Sequence, residues 1–145
     1  MAPPPVSTPW SRRDVTSGRW AAYLWAGPTT LLGLTALLLA DERRVVGGVL
    51  EGHGRRVAAV FDVVAPRRAV AAMTLGHVVV GRTAAALDAC REHERVHVRQ
   101  CECWGPLFVP AYLAASVVAW LRGGDVYFDN AFEREAWRIA PLSDA

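Results

Sequence analysis

His93-Glu94-Arg95-Val96-His97 is an uninterrupted H-E-x-x-H. It lies within residues 87–104, which read as helix because neither Gly nor Pro interrupts them before Gly105-Pro106. Side chains four apart on a helix share a face, with Cβ atoms about 5–6 Å apart, so both imidazoles can reach one metal ion. Glu94 points roughly a quarter-turn aside, where its carboxylate meets a metal-bound water rather than the metal. Zinc held this way lowers the pKa of its water to about 7, and the carboxylate takes the proton as hydroxide attacks a carbonyl.

The 145 residues are one domain's worth and can bury a proper core. Hydrophobic residues make up 52% of the chain, and a net charge of +2 gives no reason to expect a nucleic-acid partner. Every basic residue is Arg. Three cysteines close together at 90, 101 and 103 indicate no disulfide framework. Cys90 and Cys101 read as small buried hydrophobes, since they are about 16 Å apart along a helix and cannot both join one metal site with the two histidines.

Upstream, residues 1–19 are rich in Pro and Ser and read as a flexible tail. Ser11-Arg12-Arg13 reads as a basic flank and not as an export signal. Residues 21–40 carry no charge, and Trp20, Tyr23 and Trp25 cluster at their start. Twenty helical residues cover about 30 Å, so residues 20–41 are expected to form one apolar helix anchoring the chain in a membrane, with Pro28 the feature against it. Residues 44–81 look like a small β-rich insert, with Gly47-Gly48 as a hairpin turn. Residues 56–64 fit either a helix or a strand. Residues 69–75 and 77–80 are expected to be strands joined at Gly76. His53 is expected in a turn, and His77 as a structural histidine.

Within the motif helix, Ala86, Cys90, His93, His97, Cys101 and Trp104 form one stripe, leaving Arg91, Arg95, Arg99 and Glu102 to solvent. Residues 104–121 are a second apolar stretch. A single crossing there would put every downstream acid on the far side of a membrane from His93 and His97. The stretch is therefore expected to be a buried, re-entrant or interfacial helix that returns to the same side. Asp125, Asp129, Glu133, Glu135 and Asp144 are the downstream candidates for a third ligand. Residues 129–137 begin a final helix, with Asn130 as N-cap and Glu133 placed to complete a capping box.

Taken together, Met73-Thr74-Leu75-Gly76, then residues 78–81, His93-Glu94-x-x-His97-x-x-Gln100 and Glu133-x-x-Ala136 resemble the gluzincin branch of the zincin metallopeptidases. The nearest likeness is to small bacterial membrane-associated HExxH proteins and to the peptidase-like domain carried with injection-system cargo. A more distant one is to the CaaX-protease-like membrane peptidases. The resemblance spans residues 73–137. It implies zinc held by His93, His97 and Glu133, with Glu135 the fallback ligand, Asp129 or Cys90 next, and Glu94 the general base. Trp137 stands where many relatives carry an acidic residue that orients a ligand histidine.

The expected fold is thus α+β and zincin-like. It runs from an N-terminal membrane helix through a small antiparallel β insert, the HExxH helix and an apolar helix to a C-terminal helix bearing the glutamate ligand, with residues 42–145 as the peptidase domain. The expected partner is a peptide or protein substrate, met at a bacterial membrane, with Tyr127 and His77 as candidate donors to the developing oxyanion. The alternatives are a non-catalytic membrane or interaction protein on a degenerate scaffold, and a structural zinc protein that uses a cysteine.

Overall fold

The computed structural model describes residues 18–64 and 70–141. Residues 1–17 of the expected tail, its arginine pair and Asp144 lie outside the described residues. The fold is α+β, built on one four-stranded mixed sheet.

The sheet has the order β1-β2-β4-β3, with β1 Glu42–Val46, β2 Val49–His53, β3 Ala72–Leu75 and β4 Val78–Gly81. Gly47 and Gly48 both have positive φ (56° and 82°), the conformation a two-residue hairpin turn requires. The expected all-antiparallel insert is corrected at one pairing: β2 and β4 run parallel, Leu50 opposite Val78. The chain reaches that arrangement by crossing over through α3 (Arg55–Val64), which resolves 56–64 as a helix. Asp41 starts α3, its carboxylate accepting from the Arg55 amide at 2.9 Å. His53 is not in a turn; it ends β2 opposite Glu42.

Both faces of the sheet are covered, and β4 is accordingly buried at every position. On one face Val78 and Val80 pack with Leu37, Ala40, Val57 and Phe61. On the other, Val79 and Ala72 pack with Leu87, Cys90 and Val98 of α4 (Ala84–Trp104). Burying side chains such as Leu37, Phe61 and Leu87 contributes about 1.5–3 kcal/mol each. α4 begins at Thr83, whose hydroxyl accepts from the Ala86 amide, and stops at Gly105 (φ 55°) before Pro106.

The apolar stretch at 20–41 is not one helix. It forms α1 (Gly18–Trp25) and α2 (Gly27–Leu37), and α2 starts with Pro28 in its first turn, where a proline's missing N–H costs nothing. Nor is it a detached anchor. A Cβ on Gly33 would lie 2.5 Å from the Leu75 carbonyl oxygen, so α2 lies directly on the β3–β4 hairpin. Thr29 donates to the Gly105 carbonyl at 3.2 Å, and the His77 amide donates to Thr30 Oγ1 at 3.2 Å. α2 is therefore packed against the β3–β4 hairpin and the turn after α4.

Past α4, a 3-10 turn (Gly105–Leu107) leads into α5 (Phe108–Leu121), and α6 (Ala131–Ile139) closes the chain against α4 and α5. Taken together, α4, the 3-10 turn and α5 (Ala84–Leu121) are long and apolar enough, by length and composition alone, to cross a membrane. α5 alone has 14 residues, about 21 Å, short of the roughly 30 Å of a bilayer core.

One buried carboxylate ties α4 to the sheet. Glu51 on β2 receives both nitrogens of an Arg91 fork at 2.9 and 3.0 Å, and Arg44 Nε at 2.7 Å. Arg91, expected in solvent, is thus committed to the sheet. Burial would push the Glu51 carboxyl up, but hydrogen bonds from Arg91 and Arg44 outweigh it and hold the group below its ordinary 4.5.

Gly33→Ala is expected to cost about 1–3 kcal/mol by forcing α2 off the hairpin. Gly27, with open space around it, should accept Ala freely. Thermal unfolding of the two variants compares them. Glu51 offers a pH test. Its contribution is fully present above its unfolded pKa of 4.5 and is lost as pH falls through the lower folded value. Glu51→Gln should cost about 1.5–3 kcal/mol at neutral pH, and the gap to the parent protein should narrow in acid denaturant titrations.

Candidate metal centre

α4 turns His93, Glu94, His97 and Gln100 inward, all buried, because this part of the helix is enclosed by β3 on one side and α6 on the other. α6 starts with Asn130, whose side chain accepts from the Phe132 amide at 2.9 Å. The Asn130 amide nitrogen donates to the Tyr112 carbonyl at 3.0 Å and to Ser116 Oγ at 2.8 Å, which sets α6 against α5. Glu133 is then the third residue of α6. Its carboxylate does not close a capping box; it turns into α4.

The result is a tight cluster of two imidazole nitrogens and one carboxylate. His93 Nε2 is 3.3 Å from His97 Nε2, and the carboxylate spans the pair, Glu133 Oε2 3.2 Å from His93 Nε2 and Glu133 Oε1 3.3 Å from His97 Nε2. Ligands on a tetrahedron 2.0–2.1 Å from a zinc-sized ion are roughly 3.3–3.4 Å apart, which matches the separation of the two imidazole nitrogens. Two imidazole nitrogens and one carboxylate, all buried, can hold a metal ion.

The protonation of His97 follows from its neighbours. Its Nδ1 lies 2.8 Å from Gln100 Oε1, while Gln100 Nε2 donates to the Phe132 carbonyl at 3.1 Å and to Glu135 Oε2 at 3.0 Å. With the amide nitrogen committed there, Gln100 Oε1 must accept, so His97 carries its proton on Nδ1 and turns the Nε2 lone pair to the cluster. Glu135, the fallback ligand, thus sits behind His97, two hydrogen bonds from the cluster. His93 has no such partner. Its Nδ1 is buried and unpaired among the described residues, as is Trp137 Nε1, and the two rings lie 4.8 Å apart.

Glu94 points into the same cavity as His97 and Glu133. The Thr74 hydroxyl on β3 donates to Glu94 Oε2 at 2.7 Å and fixes it. Full burial pushes the Glu94 carboxyl above the ordinary carboxylate range. For Glu133, burial acts upward, but contacts with His93 and His97 prevail and hold it at about 2. Burial alone would lower His97, yet Glu133 and Glu94 raise it. The Tyr112 hydroxyl donates to Glu133 Oε1 at 2.6 Å, and burial and the Glu133 charge push that phenol up.

Four residues quoted from the sequence, His93, Glu94, His97 and Glu133, therefore meet at one point. Tyr127 lines the same cavity. His77 does not. Its ring lies elsewhere, 3.0 Å from Glu102 Oε1 and 3.4 Å from Thr30 Oγ1, so both His77 and the supposedly solvated Glu102 have structural work. Asp129 accepts from the Asp125 amide at 2.7 Å in the preceding loop, and Cys90 packs in the core beneath α4. Burial pushes the Cys101 thiol up to about 12, in keeping with a buried small hydrophobe. Thr74, Gln100 and Tyr112 had no assigned role in the sequence. Gln100 was within reach of one, since a position three after His97 lies beside it on a helix. Tyr112 is conspicuous as a polar group in an apolar helix, but nothing local marks Thr74.

Glu133→Gln is expected to weaken metal binding by at least a hundredfold, because a neutral amide oxygen is a far poorer donor than a carboxylate. Glu135→Gln should cost about tenfold at most, as a residue acting only through Gln100 and His97. Titration of each variant against a competing chelator separates the two, and equal losses would contradict the arrangement.

No protein-family model matches this chain, and neither does any curated protein or solved structure.

Proposed function

We propose that this chain is a zinc-dependent peptidase of the HExxH type that works at a membrane surface. The observation that carries the reading is the 3.2–3.3 Å spacing of His93, His97 and Glu133, with Glu94 held on the same cavity by Thr74. Zinc in that cluster would supply Lewis acidity and lower the pKa of a water to about 7. Glu94 takes a proton from the attacking water and returns it to the departing amine as the C–N bond breaks. Tyr127, on the same cavity, supplies a hydroxyl that can donate to the oxyanion developing on the carbonyl oxygen, while the Tyr112 hydroxyl is committed to Glu133. Thr74 holds Glu94 in line, and Gln100 holds His97 in the metal-binding tautomer.

The membrane part of the reading rests on exposed apolar side chains. α5 shows Leu113, Val117, Trp120 and Leu121 to the outside, and α1 and α2 show Trp20, Leu24, Leu31 and Leu32. Apolar exposure on this scale marks an interaction surface, and tryptophans suit a bilayer interface. α5 is too short to span, and it must return α6 to α4, so the helix lies in the interface.

One observation favours a second reading, a non-catalytic member of such a scaffold. Among the described residues His93 Nδ1 has no acceptor, and the Trp137 ring lies 4.8 Å from the His93 ring, whereas a ligand histidine is ordinarily oriented by an acceptor.

Metal analysis and peptide hydrolysis measured together test these readings. The parent protein should bind close to one zinc and cleave an unfolded protein substrate in the presence of vesicles. Glu94→Gln should keep the zinc and lose at least a hundredfold in activity, and His93→Ala with His97→Ala should lose both. Trp137→Glu, which places an acceptor near His93, should tighten zinc about tenfold. Zinc bound by a parent protein that cleaves nothing would favour the non-catalytic reading.

A further inference from the structure

Beside the cluster the chain keeps a cavity of about 230 Å³, far above the roughly 10–15 Å³ that one water needs. Its charged and hydroxyl-bearing lining is confined to Thr74, Glu94, His97, Tyr112, Tyr127 and Glu133. The rest is apolar. β3 and the residues just before it contribute Val70, Ala72, Met73 and Leu75, and α5 contributes Phe108, Val109 and Leu113. Of these, Leu113 is 59% exposed, so the cavity is open at the outer face of α5.

We infer that this cavity receives a bulky apolar side chain flanking the bond to be cut, and that Val109 and Leu113 set the preference for it. The inference rests on the peptidase reading and names its substrate class. Successive Cα atoms are about 3.8 Å apart, so a residue next to a carbonyl seated at Glu94 and His97 must place its side chain in this same cavity. A charged side chain seated against Val70, Met73, Val109 and Leu113 would leave water for a wall that offers it no side-chain hydrogen bond, and a glycine would leave the space unfilled. A leucine or phenylalanine replaces water against that apolar part of the lining. Val109 and Leu113 are apolar and are not members of the reacting cluster, so they can be changed without removing one of its groups.

The test uses full-length Glu94→Gln protein, which cannot consume its ligand, both zinc-loaded and chelator-stripped. N-acetyl amides of Gly, Asp, Leu and Phe are titrated by NMR shift perturbation. The Leu and Phe amides should bind at least tenfold more tightly than the Gly and Asp amides. Leu113→Asp should remove most of that difference. Leu121→Asp, also exposed on α5 but outside the cavity, should keep it and serves as the control for folding and surface charge. Equal affinities across the four amides, or a Leu113→Asp protein with undiminished preference, would overturn the inference. Octanoate binding more tightly than the Leu amide would also overturn it, in favour of an acyl chain. A protein that shows the preference yet binds no zinc would support the pocket while sinking the peptidase reading, so the two failures are told apart.

Discussion

Two imidazole nitrogens, His93 Nε2 and His97 Nε2, lie 3.3 Å apart, and the buried Glu133 carboxylate bridges them, Oε2 3.2 Å from the first and Oε1 3.3 Å from the second. Lone pairs so placed repel unless protons or a cation lie between them, and in a low-dielectric interior that repulsion is strong. The surrounding structure reads as the means of enforcing this arrangement. The Glu51–Arg91 fork fixes α4 on the sheet, Gln100 fixes His97, and Asn130 fixes the start of α6 against α5. Each is a polar contact in a buried or half-buried place, where the alternative is an unsatisfied group costing about 1–3 kcal/mol.

The same constraint explains the apolar helix. α5 has to leave α4 at Gly105-Pro106 and bring Glu133 back within 3.2–3.3 Å of two histidines some forty residues earlier. A short helix followed by a tight loop achieves that. Phe108, Tyr112 and Phe132 interlock to hold the hairpin, with Phe108 and Phe132 ring centroids 5.4 Å apart. The inner side of α5 thus serves the site and its outer side stays apolar. Trp25 sits on Gly105, so the N-terminal helices brace the same corner.

What could be read from the sequence was whatever depends on neighbours within one element. The pairing of His93 with His97, the position of Glu94, the Gly47-Gly48 turn, the stop at Gly105-Pro106 and the Asn130 cap all follow from local periodicity and backbone chemistry. Even the break of the N-terminal stretch was written there, in Pro28, which marks the start of a new helix and not a flaw in a single one.

Relations between elements were decided only in three dimensions. Glu133 and Glu135 are two residues apart on one helix and chemically alike. Only the packing of α6 against α4 gives the first to the histidines and the second to Gln100. The parallel pairing of β2 with β4, the seating of α2 on the β3–β4 hairpin, and the turning of His77 away from the cluster have the same character. No local pattern encodes them, because each depends on which surfaces meet. Thr74 shows it most plainly: a threonine on an edge strand looks like any other until the sheet brings it 2.7 Å from Glu94. The sequence by itself determined that two histidines and a glutamate would share one helix. The tertiary structure decided what they face, because a helix sets the angle between its own side chains and nothing about the angle at which another helix crosses it.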